Sequence, residues 1–508
     1  HSYGFTDNVA FSNFGVELSF AQLHQNVTKF AAYLQTSMGV KKGDRVALMM
    51  PNLLQYPIAL HAVLKLGGIV VNINPLYKSR ELRHALNDSG AKVIIVCENF
   101  CNTLSDVMSD VSIEHIIVTE LGDCLGLKGK VMNCVVKHIK KMVPAYSLTS
   151  FVRFNQALKL GAGCSLVSPT ISTDDLAFLQ YTGGTTGLSK GAELTHGNVL
   201  ANTSQMNEWI KDVISVDDSV VAPLPLYHIF SLTVCCLTFP SLGAECILIT
   251  NPRDITGFIR LLKKKMGTCF VGLNTLYNAL VMNQDFSKLD FSNLKYCLSG
   301  GMATQHAVDR KWFDITGVHI LEGYGLTETS PVLTINPSYV SDFSGSIGVP
   351  LSNTELSIRN DEGEELPAGK KGELWAKGPQ VMKRYWNNPS ESEKVLTPDG
   401  WFKTGDIALM DKQGWFYLVD RRKDMVIVSG FNVYPNEVES VLVEHEGVLE
   451  AAVIGVKSEK TGEALKAFVV ASDPGLTEVD LQAFCRQQMT AFKVPKISFF
   501  FIGASIGP

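Results

Sequence analysis

Residues 181–191 read YTGGTTGLSKG, with an acidic Glu193 and then LTHGNV (194–199) directly behind. Four glycines, three threonines, a serine and one lysine in eleven residues cannot build a core. Glycines let backbone N–H groups turn towards an anion, hydroxyls add donors, and a lysine supplies charge. The stretch is not a Walker A loop, because the second glycine of that pattern would fall at Leu188. It is not G-x-G-x-x-G either, since Gly183 and Gly184 are adjacent. DDLAFLQYT (174–182) reads as a strand and THGNVLANTSQMNEWI (195–210) as a helix. The expected order is therefore strand, glycine loop, helix, a setting in which phosphates commonly sit.

Outward from this loop the chain alternates short apolar strands with amphipathic stretches. DRVALMM (44–50), AKVIIVCE (91–98), EHIIVTE (114–120), ECILIT (245–250) and CFVGLN (269–274) are strand-like. LLQYPIALHAVLKLGG (53–68) and SRELRHALNDSG (79–90) carry helical spacing. The fold class is therefore α/β, with layered and mostly parallel sheets. From about Gly345 alternating strands such as TELSIRN and GELWAKG predict a β subdomain, 345–419. From Asp420 the order helix, strand, strand, helix predicts a small α+β unit, 420–508, after a large unit, 1–419.

Composition bounds the possibilities. The 508 residues are 46% apolar and 19% charged, an ordinary globular mix, and a net charge of −5 gives no reason to expect nucleic acid. Eleven cysteines without metal-ligand spacing suit a reducing cytoplasm. The most apolar window, 229–250, is interrupted by Pro240, Gly243 and Glu245, so a soluble protein is expected. KGKVMNCVVKHIKKMVPAY (128–146) would place Val131, Met132, Val135, Val136, Ile139 and Met142 on one helical face amid lysines. That pattern fits either a core helix or peripheral contact with an anionic membrane.

Further polar clusters appear where packing does not demand them: LEGYGLTETS (321–330), WFKTGD (401–406) and DRRKDMVIVSGFNVYPNEVES (420–440). With LMMPNLLQYPIAL, VNINPLYKSREL, PLYHIF and LSGGM, in this order along nearly the whole chain, they resemble the adenylate-forming, acyl-activating superfamily. Within it the similarity is to bacterial long-chain fatty acid–CoA ligases. The resemblance implies a large domain with a mobile small one, ATP and CoA as cosubstrates, Mg²⁺ as cofactor and a fatty acid as substrate. It also implies two half-reactions, acyl-AMP formation with loss of pyrophosphate and then transfer to the CoA thiol; a homodimer stays open.

Site residues follow by the same resemblance. Thr182, Gly183, Gly184, Thr185, Thr186, Gly187 and Lys190 would grip the β- and γ-phosphates, with Thr185 and Glu328 at the metal. Gly300, Gly301, Gly323 and Gly325 would line the nucleotide, Tyr324 would stack on adenine, and Thr327 would donate to the α-phosphate. Asp406 would accept the ribose hydroxyls, supported by Arg421. His228 and Phe230 would face the acyl pocket; Lys423 would be the hinge, and Ser429, Gly430 and Phe431 would border the CoA tunnel.

The chain departs from that pattern at its end. The family's P-x-x-x-x-G-K element is not found in TAFKVPKISFFFIGASIGP (490–508), and the record opens on His1. A fragment lacking both ends, with weakened adenylation, is the expectation. An aryl-CoA ligase, a carrier-protein loader and a catalytically dead nucleotide-binding protein remain as alternatives.

Overall fold

The computed structural model describes residues 6–182, 189–428, 431–458, 461–473 and 475–495, together with the backbone of 497–500. Gly183, Gly184, Thr185, Thr186, Gly187, Ser429 and Gly430 therefore lie outside the described residues, as does the terminal stretch 501–508.

Four sheets organise the chain. The first runs, in order, Val152–Arg153, His115–Thr119, Val93–Cys97, Arg45–Met49, Ile69–Asn72, Leu176–Tyr181 and Gly191–Thr195. All neighbours in it are parallel except the last pair. Val93–Cys97 is buried at every residue, as a parallel strand covered on both faces must be. The second sheet has parallel strands Glu245–Leu248, Ser219–Ala222, Cys269–Gly272, Tyr296–Ser299 and Ile320–Gly325 at its centre. Antiparallel strands lie towards both of its edges.

Helices cover these sheets, and their starts are written locally. Ser19 and Gln22 close a reciprocal cap on Phe20–Ser37, and Thr195 and Asn198 do the same for His196–Ile210. The helix Ser79–Ser89 ends on Gly90 in the left-handed region, where glycine carries no steric cost.

The third sheet, Glu355–Arg359, Gly372–Lys377, Phe402–Met410 and Phe416–Arg421, is wholly antiparallel. The fourth packs Phe431–Val433, Val426–Val428, Gly462–Ala471 and Val448–Ser458 with the helices Pro435–Val443 and Glu478–Gln488 around a core of its own. Asp420 joins the last two sheets: it ends a strand of the third and accepts from Asn436 N at 3.0 Å, at the head of the helix Pro435–Val443.

Two sequence expectations are corrected. The glycine loop does not run from strand into helix. Tyr181 and Gly191 are register partners of an antiparallel hairpin, closed by Thr182 N donating to Lys190 O at 2.9 Å. The helix starts at His196 with Thr195 as its cap, as the sequence suggests, but an unforeseen strand, Gly191–Thr195, lies between it and the loop because Leu176–Tyr181 offers that segment an edge, so the helix N-terminus does not cap the loop.

The basic segment is also not one amphipathic helix. An α-helix at Gly126–Cys134 gives way to a π-helical turn at Val135–Ile139. That turn takes more residues per revolution than an α-helix, which moves later positions off the helical spacing and splits the apolar face. Val136 turns inward, whereas Val131, Ile139 and Met142 are 66%, 72% and 50% exposed.

Candidate active site

Glu328 sits on a short 3₁₀ turn, Thr327–Thr329, that follows the strand Ile320–Gly325. Its backbone carbonyl accepts from Met382 N at 2.7 Å, and its carboxylate Oε1 accepts from the Tyr385 hydroxyl at 2.6 Å. The carboxylate is thus buried and aimed, with Thr327 half-exposed beside it. Burial and the adjacent carboxylate both raise the Tyr385 phenol pKa, so Tyr385 remains a donor.

Lys190 arrives at the same place from the hairpin. Its Nζ lies 4.6 Å from the centroid of the Tyr385 ring and 2.8 Å from Glu391 Oε2. Backbone pairing fixes this approach. Ala192 bridges Tyr385 in antiparallel fashion, and Trp386 N donates to Gly191 O at 2.8 Å. Next to it, buried Glu193 accepts from Arg384 Nε at 2.8 Å, tying the hairpin to the 380s by charge as well.

Tyr324 and Asp406 meet although they belong to different sheets. The Tyr324 hydroxyl donates to Asp406 Oδ2 at 2.6 Å, and both residues are buried. Burial raises the Asp406 carboxyl pKa, while the Tyr324 bond and the Arg421 charge pull it back. Arg421 is the register partner of Asp406 in the third sheet, and its side chain is exposed. A cleft of about 320 Å³ is lined by Glu328, Tyr385, Lys403, Thr404, Gly405 and Arg422, and so opens beside Glu328 and the chain neighbours of Asp406.

The glycines permit close approach. A Cβ on Gly300 would stand 3.0 Å from Gly323 O and 3.1 Å from Phe230 Cζ, so a side chain there would displace one or the other. Gly301 has φ +82°, a conformation that favours glycine. Gly325 is closed in by the Pro331 backbone. Phe230 thus packs against the glycine turn and joins the expected acyl wall to the expected nucleotide wall. The run behind it is tightly packed, with Leu232, Cys235 and Cys236 fully buried.

His228 precedes the short helix Ile229–Ser231, and its Nδ1 accepts from Phe230 N at 3.3 Å. The ring is reachable by solvent yet crowded by protein atoms, as expected of a group lining a recess, and the crowding lowers its pKa below 6.5. A neutral ring follows at pH 7. The loop carrying it is held from the neighbouring sheet. Asn52 Nδ2 donates to Ala222 O and Leu224 O, the Tyr56 hydroxyl donates to Leu226 O, and Gln180 Nε2 donates to Tyr227 O at 2.6 Å.

Lys423 lies in the exposed turn after Arg421, in contact with its surroundings. Phe431 is 56% exposed and stacks on Phe492 at 4.7 Å. Lys190 and Glu328 meet through Tyr385, and Tyr324, Asp406 and Arg421 through the hydrogen bond and strand pairing of Asp406; among the described residues no such contact ties Phe431 to either group. Sequence reading missed Tyr385, Glu391, Asn52 and Gln180. Asn52 and Gln180 sat in plain view inside PNLLQYP and LQYTGG.

An AMP-binding enzyme family model matches residues 1–386, and the model of the AMP-binding enzyme C-terminal domain matches 437–505. A long-chain-fatty-acid–CoA ligase of Escherichia coli O6:H1 is 51% identical over 498 residues, covering 98% of this chain and 89% of that protein. A feruloyl-CoA synthase of an Amycolatopsis species is 34% identical, covering 95% of this chain and 89% of the relative. Among solved structures, an anthranilate CoA ligase in complex with anthranoyl-AMP superposes with a TM-score of 0.86 at 27% identity, over 98% of this chain and 91% of that one.

Proposed function

The chain belongs to the AMP-binding enzyme family, and from that membership we propose that it is a long-chain fatty acid–CoA ligase working through an acyl-adenylate. The observation that carries the reading is the convergence of Lys190 on Tyr385, whose hydroxyl holds Glu328 at a cleft that Thr404 and Gly405, the chain neighbours of the Tyr324-bonded Asp406, also line. A lysine beside one buried carboxylate and a second buried acceptor suit a nucleotide's phosphates and ribose. The 51% identity to a long-chain ligase, against 34% to a feruloyl-CoA synthase, favours a fatty acid over an aryl acid.

In the first half-reaction a carboxylate oxygen of the acid bonds to the α-phosphorus as the bond to the pyrophosphate oxygen breaks. Negative charge grows on the leaving pyrophosphate, where the Lys190 ammonium offsets it. Thr327 donates to the α-phosphate and holds it for in-line attack. Asp406 accepts from the ribose hydroxyls, and the Tyr324 ring covers the adenine. In the second half-reaction the CoA sulfur bonds to the acyl carbon and AMP leaves with its electron pair. Neutral His228 and Phe230 flank the reacting carboxyl without taking a proton. The hinge role of Lys423, the tunnel role of Ser429, Gly430 and Phe431, and a domain boundary at residue 420 belong to this proposal.

The residues present fit Mg²⁺. Glu328 offers a buried hard oxygen donor, and among the described residues no group of three or more His, Cys, Asp or Glu forms a metal cage. Mg²⁺ is usually held by one or two carboxylates together with substrate phosphates. Glu328, with the Thr185 hydroxyl, would hold it, and it would neutralise phosphate charge when bound.

A peripheral membrane contact is the second reading. Leu127, Val131, Ile139 and Met142 are exposed together with Lys130, Lys140 and Lys141. No acidic residue lies between Asp123 and Asp174. Among the described residues no helix is long and apolar enough to cross a membrane. The surface suits an anionic bilayer. Co-sedimentation with phosphatidylglycerol vesicles but not phosphatidylcholine vesicles, lost in Val131→Asp/Ile139→Asp, is the expected result.

The ligase reading is tested with C6 to C18 fatty acids, ferulate and benzoate, each with ATP and CoA. A long-chain acid should exceed both aryl acids in kcat/KM by about tenfold or more; an aryl acid on top would reassign the substrate.

A further inference from the structure

Lys190 does not wait for its ligand unpaired. Its ammonium is 2.8 Å from Glu391 Oε2 and lies over the Tyr385 ring, whose hydroxyl holds Glu328. Gly191 and Ala192 pair with 385–386, and the Lys190 carbonyl accepts from Thr182 N, so the backbone is fixed and only the Lys190 side chain has to swing to change partners. We propose that Glu391 is a positioning residue: the counter-charge that parks Lys190 along the face of Tyr385 and yields it to the polyphosphate tail of ATP.

Three features make the exchange easy. The pair is only part-buried, with side chains 30% and 31% exposed, so water reaches both groups as they separate. Glu391 keeps a second cation, Lys394, and is not stranded when Lys190 leaves. Glu391 also lies in the first turn of the helix Pro389–Val395, where backbone N–H groups favour a negative charge. Its bond to Lys190 is the largest of the influences holding its carboxyl at about 2, so it is ionised at neutral pH. A triphosphate carries more charge than one carboxylate, and the cleft it approaches offers Lys394 and Lys403 besides Arg422, which is paired with Asp361 and Glu373. AMP has no tail to offer and does not drive the exchange.

The carboxylate is therefore a competitor of ATP but not of AMP. The inference rests on the reading of Lys190 as a phosphate-tail contact. The test measures ATP and AMP affinity calorimetrically for the full chain as Glu391→Gln, Lys190→Met and the double variant. Glu391→Gln should tighten ATP by about two- to fivefold, the range of exposed ion pairs, and leave AMP unchanged. Lys190→Met should weaken ATP, and in that background Glu391→Gln should lose most of its gain. If Glu391→Gln leaves ATP unchanged or weakens it, tightens AMP equally, or gains as much without Lys190, the parking role is overturned. If Lys190→Met does not weaken ATP, the phosphate-tail reading itself fails.

Discussion

The Tyr324 hydroxyl and the Asp406 carboxylate, from two different sheets, share a 2.6 Å hydrogen bond. The residue proposed to cover adenine thereby orients the residue proposed to hold ribose. Asp406→Ala should weaken ATP and AMP alike by about tenfold or more, since a charge-assisted contact is lost. Tyr324→Phe keeps the ring and loses only the orienting bond, so a change of a few fold is expected. Titration calorimetry with both nucleotides checks this; equal effects from the two variants would deny Tyr324 its orienting role.

Lys190→Met and Glu328→Gln should act on different variables. Lys190→Met should lower kcat by about tenfold to a hundredfold through lost stabilisation of the leaving pyrophosphate. Glu328→Gln should raise the Mg²⁺ concentration needed for half-maximal rate. Initial rates over a magnesium titration separate the two; an unchanged magnesium requirement in Glu328→Gln would remove that carboxylate from the metal.

Glu322 gives the nucleotide strand a pH signature. It is buried and accepts from Thr304 N at 2.8 Å, and burial pushes its carboxyl up to about 7 from an ordinary 4.5. The folded state binds this proton more tightly than the unfolded chain does. Its contribution is thus full below about pH 4.5 and is lost as pH rises to about 7. Glu322→Gln keeps the acceptor without the charge. It should flatten that part of the Tm–pH curve and be more stable than the parent at pH 8 by on the order of 1–3 kcal/mol. Melting curves from pH 5 to 8 decide; a parallel-shifted curve would contradict it.

Glu98 is the opposite case. Burial opposes its charge, but bonds from Tyr146, Arg153 and Lys137 overcome this and hold the carboxyl at about 2. Its stabilising contribution should be present above pH 4.5 and fade as pH falls towards 2. Arg153→Ala removes one partner of a buried charge and should cost about 1–3 kcal/mol in urea unfolding at pH 7, with little left of that cost near pH 2.

The sequence disclosed those parts of the site that lie in short polar phrases. GYGLTE, KTGD and the glycine hairpin concentrate polar residues and glycines that a core does not call for, so Tyr324, Glu328, Asp406 and Lys190 stood out, although Tyr324 also packs into a core. Tyr385 and Glu391 did not, because VMKRYWNNPSE has no such concentration. Glu391 meets Lys190 from 201 positions away, through strand pairing that local patterns do not encode. The hairpin was misread as strand-to-helix for the same reason: Gly191–Thr195 is a strand by virtue of its neighbour. The α/β alternation was legible because fully buried parallel strands are continuous apolar runs. The split of the 126–142 face was not, since helical-wheel spacing assumes an α-helix throughout.

The atom that the fatty acid attacks distinguishes an acyl-adenylate from an acyl phosphate. Palmitate labelled with ¹⁸O in its carboxyl group, turned over with ATP and CoA and followed by mass spectrometry of the nucleotide product, reads this directly. Attack at the α-phosphorus predicts one labelled oxygen in AMP for each thioester formed. Label found in inorganic phosphate, with ADP as the nucleotide product, would contradict it.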